Sequence, residues 1–304
     1  MTIANHHTGG MQMELQHKAR RAGRLSSFLR MELAMSAGLM NRLKWGDAIQ
    51  VNGIPRHTDH AVVPGDVITV RLDEPEPEYP AEDGPLTVLY EDDHILAVDK
   101  PAGMLIHPSR GKNDGTLANL TAGYYRRTGQ KSAFHPVTRL DRDTFGIVLL
   151  AKNAHIHALL QAGAPEKTYH ALTFGGPEAA SGTIDAPIAR RPLPSLLREI
   201  RPGGKPSVTE YRVLERSDRL CKLELRPITG RTHQLRLHCA HMGWPILGDP
   251  QYASPASQAY SASLGLTTQL LCAHRLEFTH PLTGKHLTLT SGMDAALAGH
   301  LPID

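Results

Sequence analysis

Residues 137–151 read VTRLDRDTFGIVLLA and join a cluster of charges to a run of apolar residues. The run 147–151 carries no polar side chain, which is typical of a strand buried on both faces of a sheet. Asp141 and Asp143, with Arg139 and Arg142, come directly before it. The pattern predicts either a site that a buried strand holds rigidly or a solvated turn in which an aspartate bonds nearby backbone amides.

Strand-like segments lie on both sides of this run. In one of them Cys221, Leu223 and Leu225 alternate with charged residues, the period of a half-buried strand. Because strands outnumber helices and many are adjacent along the chain, we predict an α+β fold with a mixed, largely antiparallel sheet over residues 86–304. The predicted strands are 86–90, 95–98, 147–151, 168–174, 208–214, 220–226, 271–278 and 286–289, and the predicted helices are 116–125, 153–160 and 232–242.

A smaller αβ domain is predicted over residues 23–72. Residues 1–22 show no periodicity and are predicted to be disordered or frayed. The apolar spacing of 24–43 predicts two short helices with a break at Gly38. An alternating segment then leads into Asn52-Gly53, a dipeptide that indicates a tight hairpin, and a Pro-Gly-Asp turn precedes another strand.

Charge is distributed unevenly along this N-terminal part. Seven bases and one acid lie between Lys18 and Lys44, whereas residues 73–83 hold six acids, three prolines and no base. The basic segment predicts a polyanion-binding element, and its alternative is an ordinary solvated helix face. The acidic segment predicts a stiff linker over 73–85. The candidate residues for gripping a polyanion are Arg24, Arg30, Arg42 and Lys44.

The composition of the 304 residues is that of a globular protein, with 40% hydrophobic residues and a net charge of +3. Only three cysteines are present, which excludes a disulfide framework. No apolar stretch approaches the ~18 residues of a membrane span. We therefore expect a soluble protein of a reducing compartment, located in the cytoplasm and without a membrane partner.

Several common catalytic motifs are missing. The sequence has no phosphate-binding loop of the G-x-x-x-x-G-K-[ST] type, no G-x-G-x-x-G after a strand, no H-E-x-x-H and no G-x-S-x-G. ATP use, nicotinamide chemistry and serine hydrolysis thus have no support. His233, His238 and His241 lie on one segment, but a helix would bring only the last two together, so we expect packing or phosphate contacts rather than a metal site.

Six ordered blocks between residues 86 and 290 resemble the RNA pseudouridine synthases of the RluA/RluD type. The central block is R-L-D-x-x-T-x-G at 139–146, followed by an apolar strand and Ala-Lys. Two departures from the usual pattern flank it, since Thr138 stands where the family has His and Phe145 where it has Ser or Thr. The other blocks are YEDD 90–93 with DKPAG 99–103 and HP 107–108, EKTY 166–169, ITGRTHQLR 228–236, GWPILGD 243–249, and CAHRL 272–276 with HPLTG 280–284.

The segment 23–72 resembles the compact RNA-binding domain first described in a small-subunit ribosomal protein. The phrase V-N-G followed by P-G-D carries this resemblance, and other small αβ modules share those turns. In that family the helix bases hold RNA phosphates, which gives salt-sensitive affinity and little sequence choice. The resemblance implies the same work for the basic residues of this segment.

The catalytic resemblance implies that a uridine within RNA is flipped out, detached from its sugar at nitrogen and rejoined at carbon. The reaction exchanges no electrons and no phosphoryl group, so we expect no cofactor. Asp141 matches the family's catalytic carboxylate, Arg231 the arginine that pairs with it, and Tyr169 the aromatic residue that stacks on the base and is a candidate general base; an ordinary amphipathic strand residue is the alternative for Tyr169. Leu235 is expected beside the tyrosine, Arg139 enters the RNA in place of the flipped base, and Arg142 and Arg236 are phosphate contacts or ion-pair partners.

The expected partner is RNA. The two-domain layout favours large-subunit ribosomal RNA, free or in ribosomal precursor particles. Two alternatives stay open, namely a pseudouridine synthase that acts on tRNA and a non-catalytic RNA-binding or ribosome-assembly factor built on the same fold. The sequence does not distinguish attack on the sugar from attack on the ring.

Overall fold

A computed structural model describes residues 13–72, 79–109, 111, 113–192, 194–195 and 197–299. The predicted α+β class is confirmed, with a small N-terminal domain and a larger domain built on a long mixed sheet. Among the residues described, no helix has both the length and the apolar composition that crossing a bilayer requires.

The N-terminal domain begins before residue 23. Strand β1, inside the segment that we expected to be disordered or frayed, pairs antiparallel with β6 along its full length, and Leu15 is completely buried. Residues 1–12 lie outside the described part of the chain. The elements are β1 (Met13–Lys18), β2 (Gly23–Arg24), α1 (Leu25–Met31), α2 (Ala37–Leu43), β3 (Ile49–Val51), β4 (Ile54–Pro55), β5 (Ala61–Val62) and β6 (Val67–Leu72).

The two turns predicted from V-N-G and P-G-D bond to each other. Asn52 and Gly53 both have left-handed backbones, as a type I′ hairpin turn requires, and the predicted hairpin β3–β4 is confirmed. The Asn52 amide donates to Asp66 Oδ1 at 2.8 Å and accepts from the Val67 N–H at 2.8 Å. This reciprocal pair explains why the two motifs occur together.

The break between the helices lies at residues 32–36 rather than at Gly38, which is inside α2. Ser36 ends the gap because its hydroxyl accepts from the Leu39 N–H at 3.2 Å and caps α2. The capping signal therefore decides this boundary, and the glycine does not.

Residues 79–85 belong to the larger domain rather than to a free linker. The Asn119 amide on helix α3 (Leu117–Arg127) donates to Pro80 O at 3.0 Å, and Glu82 accepts from the Gly115 N–H at 2.8 Å. Asp83 bonds the two arginines at the end of that helix. Of the predicted acidic linker, residues 73–78 lie outside the described part of the chain.

The sheet of the larger domain has the order β12-β15-β16-β11-β17-β10-β8-β7, with β18 on β17 and β9 on β10. Among the strands that the structure describes, only β10 and β17 pair in parallel. The sequence missed β12 to β14, α6 and the C-terminal helices. The elements are β7 (Thr87–Glu91), β8 (Ile95–Lys100), β9 (His135–Pro136), β10 (Phe145–Ala151), α4 (Ala154–Ala162), β11 (Glu166–Phe174), β12 (Ser181–Asp185), β13 (Ile188–Arg190), β14 (Arg198–Ile200), β15 (Val208–Arg216), β16 (Leu220–Pro227), α5 (Gln234–His241), α6 (Pro255–Ser263), β17 (Leu271–Thr279), β18 (His286–Thr290), a 3₁₀ turn (Gly292–Asp294) and α7 (Ala295–Ala298).

Helices cover both faces of this sheet. Val148 and Leu150 of β10 pack with α3, whereas Ile147 and Leu149 pack with α4 on the opposite face. Leu140, just before β10, contacts both the α3 cluster and the cluster that includes α5. Helices α3 and α5 therefore lie on the same face of the sheet, the face that carries the charged segment 139–143.

The start of β10 approaches β17 very closely. Gly146 has φ +107°, and a Cβ there would lie 2.4 Å from Ala273 O. Any larger residue would force the two parallel strands apart. The glycine of the R-L-D-x-x-T-x-G segment thus sets where the charged segment enters the sheet.

A buried histidine on α4 makes the stability of the larger domain depend on pH. His155 is 3% exposed, and burial lowers its pKa to about 4. Between about pH 4 and 6.5 the unfolded chain therefore binds a proton that the folded chain does not, so stability falls as the pH is lowered through this range. We expect a loss of up to about 3 kcal/mol that His155→Leu abolishes. Urea unfolding, followed by the emission of the buried Trp244, measures this loss of unfolding free energy. The control is His286→Gln, at an exposed histidine. Equal pH profiles of stability for wild type and His155→Leu would contradict the prediction.

Candidate active site

An open cleft of about 1400 Å³ crosses the face of the sheet that carries α3 and α5. Segment 138–142 forms one wall, and the segment 226–236 between β16 and α5 forms the other. Tyr169 lies at its floor, and the cleft continues past β9 toward Phe134. The cleft brings together every residue to which the resemblance gave a role at the reacting base.

Asp141 is one of two carboxylates that line this cleft, the other being Glu166, and its side chain is 30% exposed. The Arg236 guanidinium donates from Nη1 to Asp141 Oδ2 at 3.3 Å. The two residues come from different parts of the fold, the segment before β10 and the first turn of α5. A partly exposed carboxylate with a fixed cation at its inner side is available to a ligand from the cleft.

Arg236 is itself fixed by a buried pair. Its Nε and Nη2 donate to the two oxygens of Asp249 at 2.7 and 2.8 Å, and Nη2 also reaches Gln251 Oε1 at 2.9 Å. Burial opposes the charged guanidinium, but the bonds and charges of Asp249 and Asp141 outweigh it and raise the pKa of Arg236. The guanidinium is therefore permanently charged, with one nitrogen left to face Asp141.

The Asp141–Arg231 ion pair implied by the resemblance is absent from the described contacts. Arg231 is exposed at the cleft wall, and its Nε donates to Pro206 O at 3.2 Å. Arg231 precedes the helix, whereas Arg236 points inward from it. The buried helix position, rather than the loop position, supplies the cation at Asp141.

His233 lies between these groups in an unusual backbone conformation. Its φ of +58° is left-handed, a conformation that costs a non-glycine residue of order 1–3 kcal/mol and is concentrated at functional sites. Nδ1 bonds the Tyr252 hydroxyl at 2.9 Å, and Nε2 lies 4.0 Å from Asp141 Oδ2. Burial lowers the pKa of His233, against the pull of Asp141, so the ring is neutral at physiological pH.

Tyr169 sits at a bulge in β11, where the register against β17 shifts between Thr168 and His170. Bulges re-aim side chains and are frequent beside active sites. The ring is 8% exposed and packs with Leu235 in one cluster. Burial and the nearby charge of Asp141 raise the pKa of Tyr169, so its phenol is neutral at physiological pH. An aromatic surface and a neutral hydroxyl therefore lie beside the carboxylate.

Two buried residues fix the segment that carries Asp141. The Lys100 ammonium is completely buried and donates to the carbonyls of Pro101, Met104 and Arg142 at 2.9–3.0 Å. Burial, only partly offset by Asp143 and Asp141, lowers the pKa of Lys100 to about 8. Thr138, which replaces the usual histidine, accepts from the Leu149 N–H at 2.9 Å and so joins the segment to β10.

The two remaining arginines of this segment differ. Arg139 is exposed at the rim of the cleft, and its guanidinium has no ion pair within the described chain. Arg142 makes a bidentate pair with Asp143, with both distances 2.9 Å, which matches the ion-pair alternative rather than a free phosphate contact. Arg236, which pairs with Asp249 and Asp141, also matches the ion-pair alternative. Arg139 is the arginine of this segment that is free to reach a ligand.

The expected RNA-grip residues lie on the surface of the N-terminal domain. Arg24, Arg30 and Arg42 are exposed, and the Lys44 ammonium lies over the Trp45 ring. Leu25, Phe28 and Leu29 turn the opposite side of α1 into the core. The bases are thus accessible to a polyanion.

The histidines of α5 are accounted for by packing where their contacts are given. His238 bonds the Thr209 hydroxyl at 2.9 Å and Ala186 O at 3.0 Å.

In the described part of the chain, metal-ligand spacing occurs in the group His170, His274 and Asp294. This group lies on the other face of the sheet from Tyr169, and the Lys222 ammonium lies 3.2 Å from Asp294 Oδ2. A lysine already pairs this carboxylate, so the group fits a metal ion poorly.

Sequence reasoning gave no role to Asp249 or Lys100 and expected only packing or phosphate contacts of His233, although each stands in a quoted block. The signal for Asp249 was a lone acid after the apolar segment 244–247, and the signal for Lys100 was a cation ending a buried strand. Buried charges need partners. Each of these two signals therefore predicts a buried charge that bonds an opposite charge or a set of backbone carbonyls.

Comparison with known proteins identifies the family of the chain. Residues 94–241 match the family described as RNA pseudouridylate synthase. The chain is 34% identical over 263 residues to the protein named Uncharacterized RNA pseudouridine synthase YjbO of Bacillus subtilis (strain 168), covering 84% of this chain and 90% of that one. It is 33% identical over 290 residues to Ribosomal large subunit pseudouridine synthase C of Vibrio cholerae, covering 90% of each.

A solved structure agrees with these sequence matches. Human RNA Pseudouridylate Synthase Domain Containing 1 superimposes with a TM-score of 0.57 and 26% identity, over 70% of this chain and 85% of that chain. Residues 94–241, which match the family in sequence, include Asp141, Tyr169 and Arg236. The chain belongs to the RNA pseudouridine synthase family.

Proposed function

We propose that this enzyme converts uridines of large-subunit ribosomal RNA to pseudouridine in the cleft at Asp141. The observation that carries the proposal is the position of Asp141, held by the buried Arg236 and open to a cleft that Tyr169 lines. A uridine must leave its helix to reach this carboxylate. The enclosing walls would keep the detached uracil near the sugar until the new bond forms.

Each group has a part in this reaction. Asp141 supplies the negative oxygen that attacks the sugar or the ring. The Tyr169 ring receives the flipped base, since stacking is worth ~1–3 kcal/mol and offsets a comparable cost of unstacking. Its neutral hydroxyl can donate or relay a proton, and Leu235 packs the ring in place. Arg139, at the rim, is placed to fill the gap that the flipped base leaves in the RNA.

The choice of ribosomal RNA rests on the relatives and on the domain layout. The Vibrio cholerae relative is named for the ribosomal large subunit and matches 90% of this chain. An exposed set of bases there would supply affinity for the RNA backbone without choosing the sequence. Precursor particles of the large subunit, in the cytoplasm, are the proposed place of action.

Replacing the carboxylate tests the core of the proposal. Asp141→Asn keeps the size of the side chain and an oxygen for Arg236 but removes the charge, so pseudouridine formation should fall on the order of 10⁴-fold. Tritium release from RNA carrying [5-³H]uridine measures the reaction, and RNA binding should stay within about twofold. The matched control is Asp143→Asn, two residues away.

The control decides how a negative result is interpreted. If wild type binds ribosomal RNA but releases no tritium, the protein is a binding or assembly factor and the proposed function is refuted. If Asp143→Asn is as inactive as Asp141→Asn, loss of the charged segment, rather than of one nucleophile, explains the result.

The Tyr169 hydroxyl can be separated from its ring. Tyr169→Phe keeps the stacking surface, so we expect RNA affinity within about twofold and a turnover lowered by about 10²-fold, the lower range for a group that transfers a proton. Tyr169→Ala should weaken binding as well, by ~1–3 kcal/mol. Unchanged turnover in Tyr169→Phe would reduce the role of Tyr169 to packing against uracil.

Arg236 should act by fixing Asp141 rather than by binding RNA. In Arg236→Lys a single ammonium cannot bond Asp249, Gln251 and Asp141 together. We expect kcat to fall about 10²-fold, the loss typical of a reacting group misplaced by 1 Å, with KM nearly unchanged. The exposed Arg212→Lys, which disturbs two hydrogen bonds to one oxygen of Glu224, is the control. A raised KM at constant kcat would assign Arg236 to substrate binding instead.

A further inference from the structure

One tryptophan of this chain lies in water. Trp45, directly after α2, is 79% exposed, whereas the other tryptophan, Trp244, is 4% exposed in the core of the larger domain. Tryptophan is one of the largest apolar side chains, and burial of its ring normally contributes strongly to stability. An exposed ring forgoes most of that contribution, so the exposure of Trp45 needs a different explanation.

The immediate neighbours of this ring are a cation and an imidazole. The Lys44 ammonium lies 5.1 Å from the Trp45 ring centroid, and the His57 ring lies 5.1 Å away at an angle of 43°. His57 Nδ1 is 2.9 Å from Asp59 Oδ1, so one acid stands beside the group. Arg42 and Arg56, each within two residues of these side chains in sequence, are also exposed, as is one further acid at the same distance, Asp47.

We propose that Trp45 is a stacking site for an unpaired base of RNA, with Lys44 holding the adjoining phosphate. The proposal rests on RNA being the substrate and extends the contact beyond the reacting uridine. Aromatic rings flanked by bases are the usual means of holding single-stranded nucleic acid, because every base has a π face. An apolar protein partner would require contiguous apolar neighbours, but the residues in ring contact with Trp45 are a lysine and a histidine.

This site would give the N-terminal domain a preference that phosphate contacts alone cannot supply. Bases such as Arg30 and Arg42 attract any RNA backbone, whether single- or double-stranded. A stacking ring favours RNA with an unpaired nucleotide, such as a loop or an opened helix. The domain would then bind where ribosomal RNA is unpaired.

The affinity test uses full-length protein and two probes, single-stranded (rU)12 and a blunt 12-base-pair RNA duplex. Trp45→Ala should weaken (rU)12 binding about 5- to 150-fold, the equivalent of ~1–3 kcal/mol. Duplex binding should change less than twofold, and the slope of log K against log salt should stay constant because no charge is removed. Lys44→Gln should instead lower that slope by about 0.7, and Trp45→Phe should recover part of the (rU)12 affinity.

Fluorescence gives a second readout, since the chain has only two tryptophans. Saturating (rU)12 should quench the exposed, red-shifted emission of wild type and leave Trp45→Phe, which retains Trp244, unquenched. Equal (rU)12 affinities for wild type and Trp45→Ala without quenching would overturn the proposal. Quenching by phosphatidylserine vesicles in place of (rU)12 would overturn it in favour of a membrane surface.

The pseudouridine assay keeps this site separate from the proposed function. Trp45→Ala should still release tritium at saturating RNA, because the reacting cleft is intact. If wild type shows stacking but no tritium release, only the proposed function fails. If wild type releases tritium but Trp45→Ala binds (rU)12 normally, only the stacking site fails.

Discussion

The active site depends on one buried guanidinium. Arg236 is 5% exposed and makes two bonds to Asp249, which is itself fixed by the backbone amides of Gln251 and Tyr252. Pairing uses two nitrogens of the fork and leaves the third directed at Asp141. A buried ion pair of this kind contributes little net stability, because desolvation offsets the attraction. Its value here is geometric, since it fixes a charge beside a carboxylate that the cleft leaves partly exposed.

The fold brings this arrangement together from distant parts of the chain. The segment that carries Asp141 joins the sheet at Gly146, where β10 pairs with β17. The Lys100 ammonium, at the end of β8, donates to the Arg142 carbonyl of the same segment. The other wall of the cleft is the segment 226–236 between β16 and α5. Leu140 packs against the clusters beneath both walls, so the core connects the carboxylate to the helix that carries its cation. The acid and the arginine are therefore supported by one connected core.

Local patterns in the sequence predicted the elements well, and long-range pairing poorly. The strand at 147–151, the helix predicted over 153–160 and the Asn52-Gly53 hairpin were correct, because each depends on neighbours along the chain. The partner of Asp141 depends on which side of α5 faces inward, and that is set by packing against β16 and β11. Arg231 and Arg236 are equally basic in the sequence, so only the tertiary structure distinguishes them. Strand β1 was missed for a similar reason, because six residues gain their order from pairing with β6, more than fifty positions later.

The charge balance of the site limits what it can bind. Asp141, Asp143 and Asp249 are matched by Lys100, Arg142 and Arg236, and the neutral His233 adds nothing. A balanced cluster has little attraction for a polyanion, yet it suits a nucleoside whose reaction needs one local negative oxygen. Bases outside this cluster also line the cleft, Arg139 and Arg231 among them, so the balanced centre at Asp141 is bordered by positive charge. The cleft therefore separates the two needs in space, with a local negative oxygen at its centre and cations for the RNA phosphates around it.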